Sequence, residues 1–125
     1  MKQETNTSGK TLAGWRSEID AIDTELLRLL GQRANIAREV ALIKVATHLP
    51  AYDGQRERRV LDQLGARNPG PFPSESVVRI FRSIIRETRR LGTRAMQEQR
   101  RKQKSESLTS GKSIKENRNG HQHGK

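Results

Sequence analysis

Apolar residues recur at every third, then fourth, position from Leu12 to Ile43. Leu12, Trp15, Ile19, Ile22, Leu26, Leu29, Ile36, Val40 and Ile43 keep the pattern, and Arg33 stands in it between Leu29 and Ile36. A 3,4 spacing held over more than four heptads without a Pro specifies one long α-helix. Running from about residue 11 to 48, it would be roughly 55 Å long. The chain has 125 residues, of which 31% are hydrophobic and 3% aromatic. So little apolar mass excludes a thick sandwich or barrel core. The short remainder cannot cover so long a stripe, so the helix must pack along another long helix. The simplest partner is the same helix of a second protomer. The pattern therefore predicts an all-α homodimer.

His48-Leu49-Pro50 closes the long helix, since the residue before Pro disfavours helical backbone. Asp53-Gly54 opens a second helix, reaching about Ala66, with Val60, Leu61 and Leu64 as apolar members. Residues 67–73 (RNPGPFP) read as a rigid loop. Ser74 is suited to cap a third helix, which carries Val77, Phe81, Ile84, Thr88 and Leu91 at 3,4 spacing and is expected to fray after Leu91-Gly92. No stretch alternates with period two long enough to be a strand.

Charge is distributed unevenly. Residues 1–92 hold 16 Lys and Arg against 11 Asp and Glu, whereas residues 93–125 hold 9 against 3. From Gln97 the sequence is almost without apolar residues. Residues 93–125 are therefore expected to form a basic, disordered tail, and residues 1–11 a flexible N-terminus. The tail could meet nucleic acid or an acidic partner, or simply aid solubility. The core shows no nucleic-acid-binding motif and no basic face studded with aromatic residues, so nucleic acid is not expected as its partner. His121 and His123 in such a terminus do not make a metal site. The chain has no Cys, which removes disulfides, thiolate zinc sites and Cys nucleophiles. No run approaches a membrane span and the N-terminus lacks an apolar h-region, so the expected compartment is the cytoplasm.

The informative residues are those that interrupt the stripes. Arg33 takes a core position, and Arg16 and Lys44 flank the same stripe towards its two ends. A cation facing a core is costly unless it is paired or meets a ligand. For Arg33 alone, a salt bridge or a register-setting polar layer is the simpler explanation. Three cations along one edge favour an anion site. Arg33 and Lys44 are 11 residues apart, roughly 16 Å along the axis, so they can grip opposite ends of one small molecule. In an antiparallel dimer crossing near Leu26 and Leu27, the partner subunit's Arg16 falls level with residue 38, between them. The second helix would add Asp53, Arg56 and Glu57 in its first turn, although Asp53 also suits a capping role. Such a site fits a small dianion carrying a hydroxyl group. Motifs for serine hydrolysis, zinc proteolysis, phosphate cradling and dinucleotide binding are absent. A cation-rich site without an evident base or nucleophile favours catalysis by orientation and electrostatics.

These residues resemble the all-helical (type II) class of chorismate mutases. The likeness lies in WRSEIDAIDTELLRLLGQR at 15–33, AREVALIK at 37–44, PAYDGQRERRVL at 50–61 and GPFPSESVVRIFRSIIRETR at 70–89. It covers about residues 12–92. The resemblance implies three-helix protomers, each with one long N-terminal helix, in an intertwined homodimer. It also implies the Claisen rearrangement of chorismate to prephenate, in aromatic amino-acid biosynthesis, with no cofactor or metal. Carried over by position, the partner subunit's Arg16 and this chain's Arg33 would bind substrate carboxylates. Lys44 would hold a carboxylate and the ether oxygen, and Arg56 would support the carboxylate end. Asp53 and Glu57 would serve the ring hydroxyl, and Thr88 stands where the family usually has Ser. Lys44, Arg33 and Glu57 are the expected catalytic residues.

One position departs from the pattern. Four residues after the Ser/Thr position the family usually has Gln or Glu, which helps bind the ether oxygen. Here it is Gly92, with Arg89 or Gln97 as candidate substitutes. Losing one such donor can cost on the order of 10²–10³ in rate. Two alternatives stay open: a pericyclic enzyme of the isochorismate pyruvate lyase kind, which the family also contains, and a non-catalytic helical dimer whose basic tail binds a partner or nucleic acid, which Gly92 favours and Arg33 with Lys44 oppose.

Overall fold

The computed structural model describes Thr5 and residues 8–119, with side chains as far as Ser110. His121, His123 and most of the N-terminal segment expected to be flexible lie outside the described residues. Three helices follow in order: α1 (Leu12–Ala46), α2 (Gly54–Arg67) and α3 (Ser74–Asn119). Among the described residues there is no strand, only a single bridge between Thr5 and Thr11. The chain divides into two units, Met1–Ile36 and Ala37–Lys125, and α1 runs through the division.

In the first unit, Thr11 starts α1. Its hydroxyl accepts from the Gly14 amide at 3.0 Å and its carbonyl from the Trp15 amide at 3.0 Å, which satisfies two of the donors a helix start leaves open. Lys10 holds the same turn, 2.6 Å from the Glu18 carboxylate and 4.3 Å from the centre of the Trp15 ring. Beyond this turn the apolar stripe faces outward. Ile19, Ile22, Leu26, Leu29 and Ile36 are all exposed, Ile36 to 66%.

In the second unit, α1 ends at Ala46, two residues earlier than the spacing predicts. Pro50 does not end it directly. His48 takes a left-handed conformation (φ 56°). The Leu49 amide then reaches the Lys44 carbonyl at 2.8 Å and the His48 amide the Val45 carbonyl at 3.3 Å. These two bonds satisfy the last carbonyls of the helix in the Schellman arrangement.

The α2 helix packs on α3. Gly65 faces Val78 across this contact: a Cβ there would lie 3.6 Å from Cγ2 of Val78, an ordinary packing distance. Between the two helices, Asn68 braces the loop by donating from Nδ2 to the Phe72 carbonyl (2.6 Å) and accepting the Gly70 amide (3.0 Å). Ser74 does not cap α3 through its side chain. Its hydroxyl donates to the Gly65 carbonyl at 3.0 Å, tying the start of α3 to α2, while the Pro73 carbonyl accepts the Ser76 and Val77 amides.

The third helix does not end at Gly92. It continues as α-helix to Asn119, through the segment expected to be a disordered tail. The residues after Gly92 are mostly good helix formers, Arg, Ala, Met, Gln, Glu and Lys, and a lone Gly costs a helix only about 1 kcal/mol. Met96, beyond the expected boundary, is the most buried of the core side chains, at 3% exposure. With Ala41 and Val45 it forms the buried core of the described residues.

Candidate active site

The second unit carries five of the seven site residues expected from the sequence. Lys44 lies half-buried in the last turn of α1. Its Nζ donates to the Ala51 carbonyl at 3.1 Å, so the ammonium is drawn to the segment that enters α2. An ammonium has three N–H donors, and this bond uses one of them.

Asp53 is the N-cap of α2. Its Oδ1 accepts the Arg56 amide at 3.1 Å and its carbonyl accepts the Glu57 amide at 3.1 Å. The capping role seen in the sequence is therefore real, and one carboxylate oxygen is committed to it. Arg56 is exposed on the first turn of α2 and Glu57 half-buried beside it. The Glu57 carboxylate is bound by Arg89 of α3. One Nη2 donates to both oxygens, at 2.5 Å to Oε2, with Oε1 also in contact. The same guanidinium lies 4.5 Å from the centre of the Tyr52 ring.

Thr88, half-buried on α3, donates from Oγ1 to the Ile84 carbonyl at 2.7 Å. One turn on, a Cβ at Gly92 would lie 3.6 Å from the Ala41 Cβ on α1. This position faces the last turns of α1, one turn before Lys44. Gln97 is exposed on α3. In the first unit, Arg16 is exposed on α1 and Arg33 is half-buried on the same helix.

The structure thus joins Lys44 to the 51–53 segment and Glu57 to Arg89, beside Thr88 in sequence. Sequence reasoning assigned no place to Tyr52 and named Arg89 only as a possible substitute for a missing donor. The pairing of residues 57 and 89 crosses between helices, and no helical period relates the two. Among the described residues no group of His, Asp and Glu could hold a metal ion, and no helix is long and apolar enough to cross a membrane.

The chain is thus a small all-helical protein with cationic side chains on α1 and α2 and a carboxylate held where α2 meets α3. The comparisons give the particular family. A family model for chorismate mutase type II matches residues 15–93, and the chain belongs to that family. The bifunctional chorismate mutase/prephenate dehydratase of Aquifex aeolicus is 42% identical over 74 residues. That match covers 56% of this chain and 20% of the Aquifex protein, so the chain spans about a fifth of that relative. A chorismate mutase structure from Thermus thermophilus superposes with a TM-score of 0.66 at 36% identity, covering 66% of this chain and 94% of that one. The Helicobacter pylori chorismate mutase, solved in complex with prephenate, gives a TM-score of 0.64 at 33% identity, covering 70% and 94%.

Proposed function

We propose that this chain is a chorismate mutase that rearranges chorismate to prephenate in the cytoplasm, working as an intertwined homodimer. Membership of the type II family over residues 15–93 carries the reading. It is supported by the prephenate complex of the Helicobacter relative. In this reading residues 12–92 hold every site residue and residues 93–125 form a basic extension. The reaction breaks the ether C–O bond and forms a C–C bond within one molecule. No proton, metal or cofactor has to enter, so catalysis reduces to folding the substrate and stabilising charge.

Each residue then has a task that its surroundings suit. Arg33 and the partner subunit's Arg16 hold the two carboxylates, which selects the compact, reactive conformer. Lys44 keeps two N–H donors beyond the one given to Ala51. One serves a carboxylate. The other meets the ether oxygen, where negative charge grows as the bond breaks, so the transition state gains more than the ground state. Arg56 adds positive charge at the carboxylate end, while Asp53 and Glu57 receive the ring hydroxyl. Thr88 joins by turning its proton away from the Ile84 carbonyl.

The dimer is supported by the exposed stripe of α1. Ile19, Ile22, Leu26 and Leu29 are between 47% and 60% exposed, and burying such a side chain fully is worth about 1.5–3 kcal/mol. An apolar row of this length marks a protein interface.

The test is direct. Purified protein, stripped of metal by chelation, is expected to consume chorismate and release prephenate. Lys44→Ala should lower kcat/KM by about 10²–10³ or more, the range for losing a transition-state donor. A wild-type rate equal to the uncatalysed reaction sinks the proposal. Turnover of isochorismate to pyruvate in place of chorismate would reassign it to the lyase chemistry.

A further inference from the structure

We propose that Arg89 is a positioning residue, which acts on the substrate only through Glu57 and does so with Tyr52 as its backing. The inference rests on the chorismate mutase reading above. Three observations carry it. Arg89 reaches across from α3 to both oxygens of the Glu57 carboxylate on α2. Its guanidinium face is covered by the Tyr52 ring at 4.5 Å. Tyr52 in turn lies against the backbone at Gly54, where a Cβ would meet the tyrosine hydroxyl at 2.8 Å. Gly54 is therefore the residue that lets the ring sit there, and the ring backs the guanidinium carbon.

The chemistry follows from charge. A carboxylate beside a dianionic guest repels it and competes with it for Lys44 and Arg56. Bound to Arg89, Glu57 has its charge offset and its direction fixed, while its remaining lone pairs can still accept a hydroxyl proton. Arg89 is 42% exposed and Glu57 26%, so the pair is open to solvent on the Arg89 side and more sheltered on the Glu57 side. The ring hydroxyl stands on the carbon next to the one that loses the ether oxygen, but none of its own bonds is made or broken in the rearrangement. Aligning its acceptor therefore helps substrate and transition state alike, and the loss should appear in KM rather than kcat. Arg89 thus belongs to the hydroxyl end of the site and does not replace the ether-oxygen donor absent at Gly92.

The experiment is a double-mutant cycle on the full chain, with chorismate as the probe. Arg89→Gln is expected to raise KM about tenfold and to change kcat less than about threefold. In a Glu57→Gln background the same change should cost less than about twofold, because the group it acts through is already altered. Arg89→Lys, which keeps the charge without the planar group over Tyr52, should fall between wild type and Arg89→Gln. Melting by circular dichroism checks that each variant is folded. If Arg89→Gln does not fold, Tyr52→Leu is the second arm and should raise KM about threefold with kcat unchanged. Equal losses from Arg89→Gln with and without Glu57, a fall in kcat at constant KM, or a Tyr52→Leu variant identical to wild type would overturn the inference while leaving the activity itself in place. A wild-type chain without activity would overturn the functional reading first, and this inference with it.

Discussion

At Gly92 the third helix offers no side chain where the family usually supplies a Gln or Glu. The position nevertheless faces α1, since a Cβ there would meet the Ala41 Cβ at 3.6 Å, an ordinary contact. Space for the first atom of a side chain is therefore present. Replacing Gly92 by Gln also removes the cost of about 1 kcal/mol that Gly imposes inside a helix. Gly92→Gln is expected to raise kcat several-fold, by up to about 10² if the amide reaches the ether oxygen, and to raise the melting temperature. Stopped assays at saturating chorismate would measure the first. An unchanged or lower kcat would mean that another group already fills the donor's place.

Two of the charged positions proposed for the site stand out in the sequence because they break or mark a local pattern. Arg33 interrupts an apolar stripe and Asp53 precedes a helix start, and the structure places Asp53 as the cap. What could not be read was which partner each side chain would find. Lys44 donates to a backbone carbonyl, a group every residue has, so nothing in the sequence marks Ala51. Glu57 and Arg89 meet only because α2 and α3 pack at one register.

Among the elements, α1 and α2 were legible to within two residues at each end, since spacing, a cap and a Pro agree there. The end of α3 was not. Gly92 and falling hydropathy both suggested a boundary, yet neither outweighs a following run of strong helix formers. Met96 then anchors the continuation against Ala41 and Val45. The buried methionine makes this testable. Met96→Ala should destabilise the protein by about 2 kcal/mol, at the low end for such truncations because the core is small. Urea unfolding followed by circular dichroism would measure it. Truncation after Arg101 should leave the midpoint nearly unchanged, whereas truncation after Gly92, which removes Met96, should lower it. A Met96→Ala midpoint equal to wild type would mean that the core ends before residue 96.

At the scale of the whole molecule, the site is proposed to be shared. Arg16 is exposed on α1, and the stripe beside it is uncovered. Both features have the same explanation if a second copy lies along α1 and takes Arg16 into its own site. Subunit complementation tests this most directly. Arg16→Ala and Lys44→Ala chains, each with its own affinity tag, are purified alone and then co-expressed, and chorismate turnover is measured. Each variant alone should be nearly inactive. A statistical mixture should recover about a quarter of the wild-type activity, because half of the dimers are hybrids and each hybrid regains one intact site of its two. A doubly tagged hybrid as inactive as its parents would contradict a site built from two subunits.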